Sequence, residues 1–352
     1  MVEAPPAGEG DAGQPAPGQL IPTAMLQQAD CLSDAVAVAR FNATGCSSRA
    51  WQEYIAKSMP AGSNEKVFLN VGANKGYAFI EFLGLWSQTQ TTSWHWGQAV
   101  RQYARERRMQ WLTQNACGFC RECRQPGPQK HNRHGGIVHA LELTANNRAM
   151  LRSVLNATGL STSVHVHDYA ASNESRVMRH VPTFAGGETR GLRASTDRLC
   201  RTSNACSERI DAITLDEFVE RQGLSDLHHV TIDTEGHDAL VLEGFRRTLS
   251  RRRVQLVEFE VNAQGFWTLK KRDELYRERR SLKGAASWLA SAGYSCFWQT
   301  REGLVPLSGP CWKHEFDTFR HWSNVVCAHD AAVISQFVRL AKRDFARRHQ
   351  GT

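Results

Sequence analysis

The sequence predicts an α/β fold organised around a parallel sheet. Three observations carry that expectation. From Lys66 onward, short apolar runs alternate with helical patterns; the first run ends in a glycine-bearing turn, GANKG; and the fourth ends in a cluster of ionisable residues. The 352 residues suit one large domain with insertions. No run reaches the roughly 18–20 apolar residues that a membrane helix needs.

Taken in order, residues 1–23 read as a flexible Pro/Gly/Ala-rich linker, without the basic start and apolar centre of a signal peptide. Residues 24–62 form a helical leader, AMLQQADCLSDAVAVA and then AWQEYIAKSM, in which Cys31 and Cys46 could form a staple. The main domain spans 63–330. Its expected strands are KVFLNV (66–71), GIVHAL (136–141), SVHVHD (163–168), HHVTID (228–233), VQLVEFE (254–260), YSCFWQ (294–299) and NVVCAH (324–329). Helical patterns fall between most of them: GYAFIEFLGLW, TANNRAMLRSVLNA, TLDEFVERQ, DALVLEGFRRTL and SLKGAASWLASAG. In DALVLEGFRRTL, Leu240, Val241, Phe245 and Leu249 share one helical face, and Gly293 stands where a helix C-cap belongs.

Two stretches interrupt the alternation. Residues 87–135 are an insertion with helical and Cys-rich parts, of the length that lids and binding segments have. Residues 169–212 are rich in Gly, Ser and Arg and read as a hairpin or a loop region. At the end, 331–352 form a basic amphipathic helix that docks through Val333, Phe337, Val338 and Leu340, with membrane-surface contact as the lesser alternative.

The net charge of +8 comes with dispersed arginine clusters that lack interleaved aromatics, which argues against a nucleic-acid partner. An even cysteine count and three Asn-x-Ser/Thr sequons, at Asn42, Asn156 and Asn173, point to the secretory-pathway lumen (Golgi or secreted), with the cytoplasm as the alternative. In CGFCREC, Cys117, Cys120 and Cys123 have two readings: disulfides to distant cysteines, or a Cys3His zinc site completed by His131 or His134. Trp86, Trp94, Trp96 and Trp111 either pack the insertion onto the core or stack on sugar rings.

Gly72 and Gly76 allow a sharp turn that opens a helix, whose N-terminal amides and dipole favour an anionic ligand group. The run fails the G-x-G-x-x-G template of dinucleotide sites and lacks the Lys-Ser/Thr of a P-loop. Just past the second strand, Glu142 could accept ribose hydroxyls or complement a helix dipole. Asp233, Glu235 and His237 sit past the fourth strand, where open α/β sheets bind ligands; a capping network is the competing reading.

VFLNVGANKGY, VHALELTANNRAML, ITLDEFV, VTIDTEGHDALVLEGF, VQLVEFEVN and LASAGYSCFW resemble, in order, the motifs of FkbM-type methyltransferases, a class I family that uses S-adenosylmethionine. The resemblance implies a doubly wound, mostly parallel, seven-stranded Rossmann-like sheet in the order 3-2-1-4-5-7-6, its last strand antiparallel. It implies O-methylation of a hydroxyl on a sugar, glycan or related polyhydroxy substrate; the alternative is a catalytically inactive protein that binds glycan or a protein partner. Gly72, Ala73, Asn74 and Gly76 would line the methionine part of the cofactor, Glu142 would hold its ribose, and Asp168 and Tyr169 would lie near adenine. Asn70 departs from the pattern, standing where the family usually carries Asp to meet the cofactor's ammonium. Asp233 and Glu235 would face the reacting methyl. His237 is the first candidate for a general base, and a divalent metal is a second means of activating the acceptor.

Overall fold

The computed structural model describes residues 25–47, 49–58, 65–124, 135–180, 185–187, 208–263, 265–267, 280–301, 303–318 and 322–349. Eleven strands are seen among them: β1 Lys66–Val71, β2 Gly136–Leu141, β3 Val164–His167, β4 Tyr169–Ala171, β5 Arg176–His180, β6 Glu208–Ile213, β7 Leu227–Ile232, β8 Val254–Val261, β9 Ser295–Thr300, β10 Gly303–Pro306 and β11 Ser323–Ala328. The large sheet runs β10-β9-β11-β8-β7-β1-β2-β3. Counting only the strands read from sequence, this is 3-2-1-4-5-7-6, with β11 antiparallel to both β8 and β9. An eighth strand, β10, is added as a hairpin on β9.

Strand periodicity sends alternate side chains to opposite faces. Phe68 enters one core with Phe79, Phe82, Trp96 and Met150, whereas Leu69 and Val71 enter the other with Trp51, Val230, Val257 and Phe337. Both faces of β1 are therefore covered, as a parallel sheet requires. The helix Ser93–Glu106 from the insertion buries Trp96 and Val100 in the first core. The C-terminal helix Ala331–His349 buries Val333, Phe337, Val338 and Leu340 in the second.

The stretch expected as hairpin or loop holds a second, three-stranded sheet, β4-β6-β5. DALVLEGFRRTL also differs from expectation. It forms two helices, Asp238–Glu243 and Arg246–Ser250, although its four apolar face residues are all buried. The break falls at Gly244, where an added Cβ would lie 2.2 Å from the Ser172 carbonyl oxygen, so the chain passes directly against the end of β4.

The cysteine pairing corrects two expectations. Cys31 bonds Cys311 and Cys46 bonds Cys120, so the leader is stapled to the main domain and to the insertion rather than to itself. Cys117 bonds Cys123. All three sulfurs of CGFCREC are thus in disulfides and unavailable as thiolate zinc ligands. His131 and His134 lie outside the described residues. A fourth bond, Cys296–Cys327, joins β9 to β11 at directly opposed positions.

Candidate active site

A cavity of about 440 Å³ opens along the carboxyl edge of the large sheet. It runs from the ends of β1, β2 and β4, past those of β7 and β8, to the start of antiparallel β11. At its centre the chain leaves β1 through a tight elbow. Gly72 and Ala73 both donate to the Leu141 carbonyl, and Asp233 donates its amide to Val71, tying the ends of β1, β2 and β7 together. Gly72 has φ +80°, and a Cβ there would sit 1.8 Å from the Asp233 carbonyl oxygen. Only glycine fits, because the β7 backbone occupies the space of any side chain. Gly76 then caps the helix Tyr77–Trp86.

Glu142, 4% exposed, holds this elbow. Its Oε2 accepts from the Asn74 amide at 2.8 Å, and its Oε1 accepts from the Thr144 amide and hydroxyl, each at 2.8 Å. Beside it, the buried Asn70 donates through Nδ2 to Thr231 Oγ1 at 2.9 Å. The Asn70 Oδ1 and Asn74 Oδ1 atoms are both buried with no hydrogen-bond partner among the described residues. Two orphaned acceptors in the wall of one cavity call for a donor brought by a ligand.

Past β7 the wall is acidic. Asp233 and Glu235 line the cavity, Glu235 in the left-handed region at φ +56°. The fully buried Asp238 accepts from the Thr234 and Gly236 amides and so shapes the turn. Next to them, on β8, burial together with the Asp233, Asp238 and Glu235 carboxylates pushes the Glu260 carboxyl well above the ordinary carboxylate range. Two residues earlier on the same strand, Glu258 behaves oppositely. Burial favours its neutral form, but His229 and the Arg49 guanidinium outweigh this and hold it down to about 2. His237 is 4% exposed, with Nε2 3.1 Å from Ser172 Oγ and its ring edge-on to Phe266.

Of the residues singled out from sequence, Asn70, Gly72, Ala73, Asn74, Gly76, Glu142, Tyr169, Asp233, Glu235 and His237 all line this cavity. Asp168 does not. Its half-exposed carboxylate turns to the surface, where Arg148 and Arg152 pair with it. Trp86 and Trp96 are core residues; Trp94 and Trp111 are exposed, and none of the four lines the cavity. Sequence reasoning missed Glu258, Glu260 and Asn262, whose signal is three polar residues at every second position where β8 ends. It also missed Ser47, Arg49, Phe119, Glu122, Trp322 and Asn324, which reach the cavity from three distant parts of the chain.

The profile of the Methyltransferase FkbM domain matches residues 70–296, well over half of the chain. Among solved structures, a Methyltransferase FkbM from Methylobacillus flagellatus KT is similar at 12% identity and a TM-score of 0.37, the match covering 75% of this chain but only 43% of that one. A protein in the NADB-Rossmann superfamily from Streptococcus agalactiae is similar at 11% identity and a TM-score of 0.28, covering 81% of this chain and 70% of the other. No curated protein matches the chain.

Proposed function

We propose, from the premise that the chain belongs to the FkbM methyltransferase family, that it uses S-adenosylmethionine to methylate a hydroxyl of a sugar, glycan or related polyhydroxy substrate. The observation that carries this reading is the convergence of the Gly72 elbow, Glu142 and the acidic turn after β7 on one cavity. Its volume is within the range of small-ligand sites.

The residues present fit the cofactor. When bound, it supplies an electrophilic methyl group on a positively charged sulfur. The orphaned Asn70 and Asn74 oxygens suit donation from an ammonium, so Asn70 keeps an acceptor where the family usually carries Asp. The amides that open the helix Tyr77–Trp86 suit a carboxylate. Glu142, already accepting three hydrogen bonds, keeps about one acceptor position for a ribose hydroxyl. Tyr169 closes the far wall.

Asp233 and Glu235 place negative charge where a sulfonium would sit, and Glu260 beside them adds its own once its proton is lost. They favour the charged donor over its neutral thioether product, and this assists release after transfer. Proton removal from the acceptor falls to Glu235 or His237, both in the cavity wall. Among the described residues no group of three or more His, Cys, Asp or Glu side chains is spaced to hold a metal ion, and no step is assigned to one. The disulfides, with Asn42 and Asn156 exposed, support a secretory-lumen setting. Among the described residues no helix is long and apolar enough to cross a membrane.

Two expected results test this reading. Glu235→Gln keeps the side-chain shape and removes the charge. It should abolish methyl transfer, followed with tritiated donor over glycan and small-polyol pools, while S-adenosylhomocysteine binds within a few-fold of the native Kd; undiminished transfer would remove the chemistry from this position. The second concerns protons. With its pKa raised, Glu260 binds a proton where an ordinary glutamate would not, and a neighbouring cation lowers that pKa again. Calorimetry over a pH series starting at the ordinary glutamate range and rising above it, in buffers of different ionisation enthalpy, should therefore show a window in which S-adenosylmethionine releases more protons than S-adenosylhomocysteine. Equal release throughout the series would mean that the sulfonium does not meet Glu260.

A further inference from the structure

We infer that the β8–β11 half of the cavity is a separate acceptor subsite for one polyhydroxylated ring, with a wall assembled by the Cys46–Cys120 disulfide; this rests on the methyltransferase reading above. The half of the cavity at β1, β2 and β4 carries the features that fit the cofactor. The other half has different chemistry, and three observations define it.

Its floor is polar and buried. Glu258, 2% exposed, accepts through Oε1 from Gln299 Nε2 and Asn324 Nδ2, each at 2.9 Å. Its other oxygen, Oε2, meets His229 Nε2 at 3.4 Å without a well-formed hydrogen bond. A buried carboxylate oxygen in that condition suits a hydroxyl donor. Its rim is aromatic. Phe119, 72% exposed, lies with its ring 6.0 Å from that of Trp322 at an angle of 67°, and both line the cavity. Flat apolar faces above hydroxyl acceptors match the C–H and O–H sides of a sugar ring.

The third observation is how the rim is held. The leader is fixed to the main domain: Gly45 donates to the Trp322 carbonyl at 3.1 Å, and Ser47 Oγ and Trp51 Nε1 donate to the Oε1 of fully buried Gln299, which in turn donates to Glu258. The insertion contributes a short loop closed by Cys117–Cys123, with Phe119 at its outer side. Cys46–Cys120 joins the two across 74 residues of sequence, setting Ser47 and Phe119 beside one mouth. None of the elbow, Glu142 or Tyr169 belongs to this tether. Losing the bond should therefore loosen the acceptor wall and leave the cofactor half intact.

The test uses the full chain with S-adenosylhomocysteine and a panel of methyl glycosides as probes. Calorimetry reads the cofactor half, and saturation-transfer NMR from protein to glycoside ring protons reads the acceptor half. The native protein should bind S-adenosylhomocysteine and transfer saturation to at least one glycoside. Cys46→Ser/Cys120→Ser and, separately, Phe119→Ala should lose that transfer at least fivefold while the S-adenosylhomocysteine Kd stays within threefold. Phe119 is exposed, so its variant answers even where the serine pair fails to fold. Unchanged transfer in Phe119→Ala overturns the subsite, and so does a native protein that binds S-adenosylhomocysteine but no glycoside. A native protein that fails to bind S-adenosylhomocysteine overturns the methyltransferase reading first, and this inference with it.

Discussion

Gly72→Ala should reduce S-adenosylhomocysteine affinity by at least about 100-fold and lower the melting temperature by at least about 4 °C. The added methyl meets the Asp233 carbonyl oxygen at 1.8 Å, well inside contact distance, and that oxygen belongs to a strand end that cannot rotate away. Alanine at φ +80° also carries the left-handed penalty, so strain and displacement together should reach at least about 3 kcal/mol. The relief available is separation of the β1 and β7 ends. It would break the Asp233–Val71 and Gly72–Leu141 hydrogen bonds and swing the Asn74 amide off Glu142. Stability and ligand affinity therefore fall together, measured by thermal melting at a fixed scan rate and by calorimetry. A variant that melts lower yet binds normally would show that the elbow is structural only.

Glu258→Ala should be the most destabilising substitution in the acceptor half, by about 3–5 kcal/mol. The carboxylate lies among His229, Gln299, Asn324 and Arg49, and its removal leaves buried donors without their acceptor. The effect has a pH signature. The folded-state pKa of Glu258 is held down to about 2, below the unfolded value of about 4.5, so its contribution is present above about 4.5 and is lost as pH falls towards 2. The melting-temperature gap between native protein and variant should thus be widest near neutrality and narrow on acidification through that window. A gap independent of pH would mean that the destabilisation reflects lost packing rather than lost charge.

The parts of this site that sequence revealed are those carried by local pattern. The inner strands of the central sheet announce themselves by buried runs, since both their faces are covered, and the two glycines of GANKG mark the sharp turn that follows the first of them. Glu142 and the Asp233–His237 turn were legible because each directly follows such a run. Asp168 likewise directly follows β3, but its carboxylate pairs with Arg148 and Arg152 on the preceding helix, partners that no local pattern reports. The small sheet escaped notice because its strands are short and β4 pairs with β6 about 40 residues on. The acceptor wall was invisible for a stronger reason. Ser47, Phe119 and Trp322 line one mouth because the Cys46–Cys120 disulfide and the Gly45–Trp322 hydrogen bond bring their segments together, and no periodicity reports that.

The central claim is that the elbow after β1, the glutamate after β2 and the acids after β7 surround one bound donor. Isothermal titration of the native protein with S-adenosylhomocysteine tests it most directly. One site per chain with micromolar Kd is the expected result. No heat of binding at ligand concentrations a hundredfold higher would contradict it.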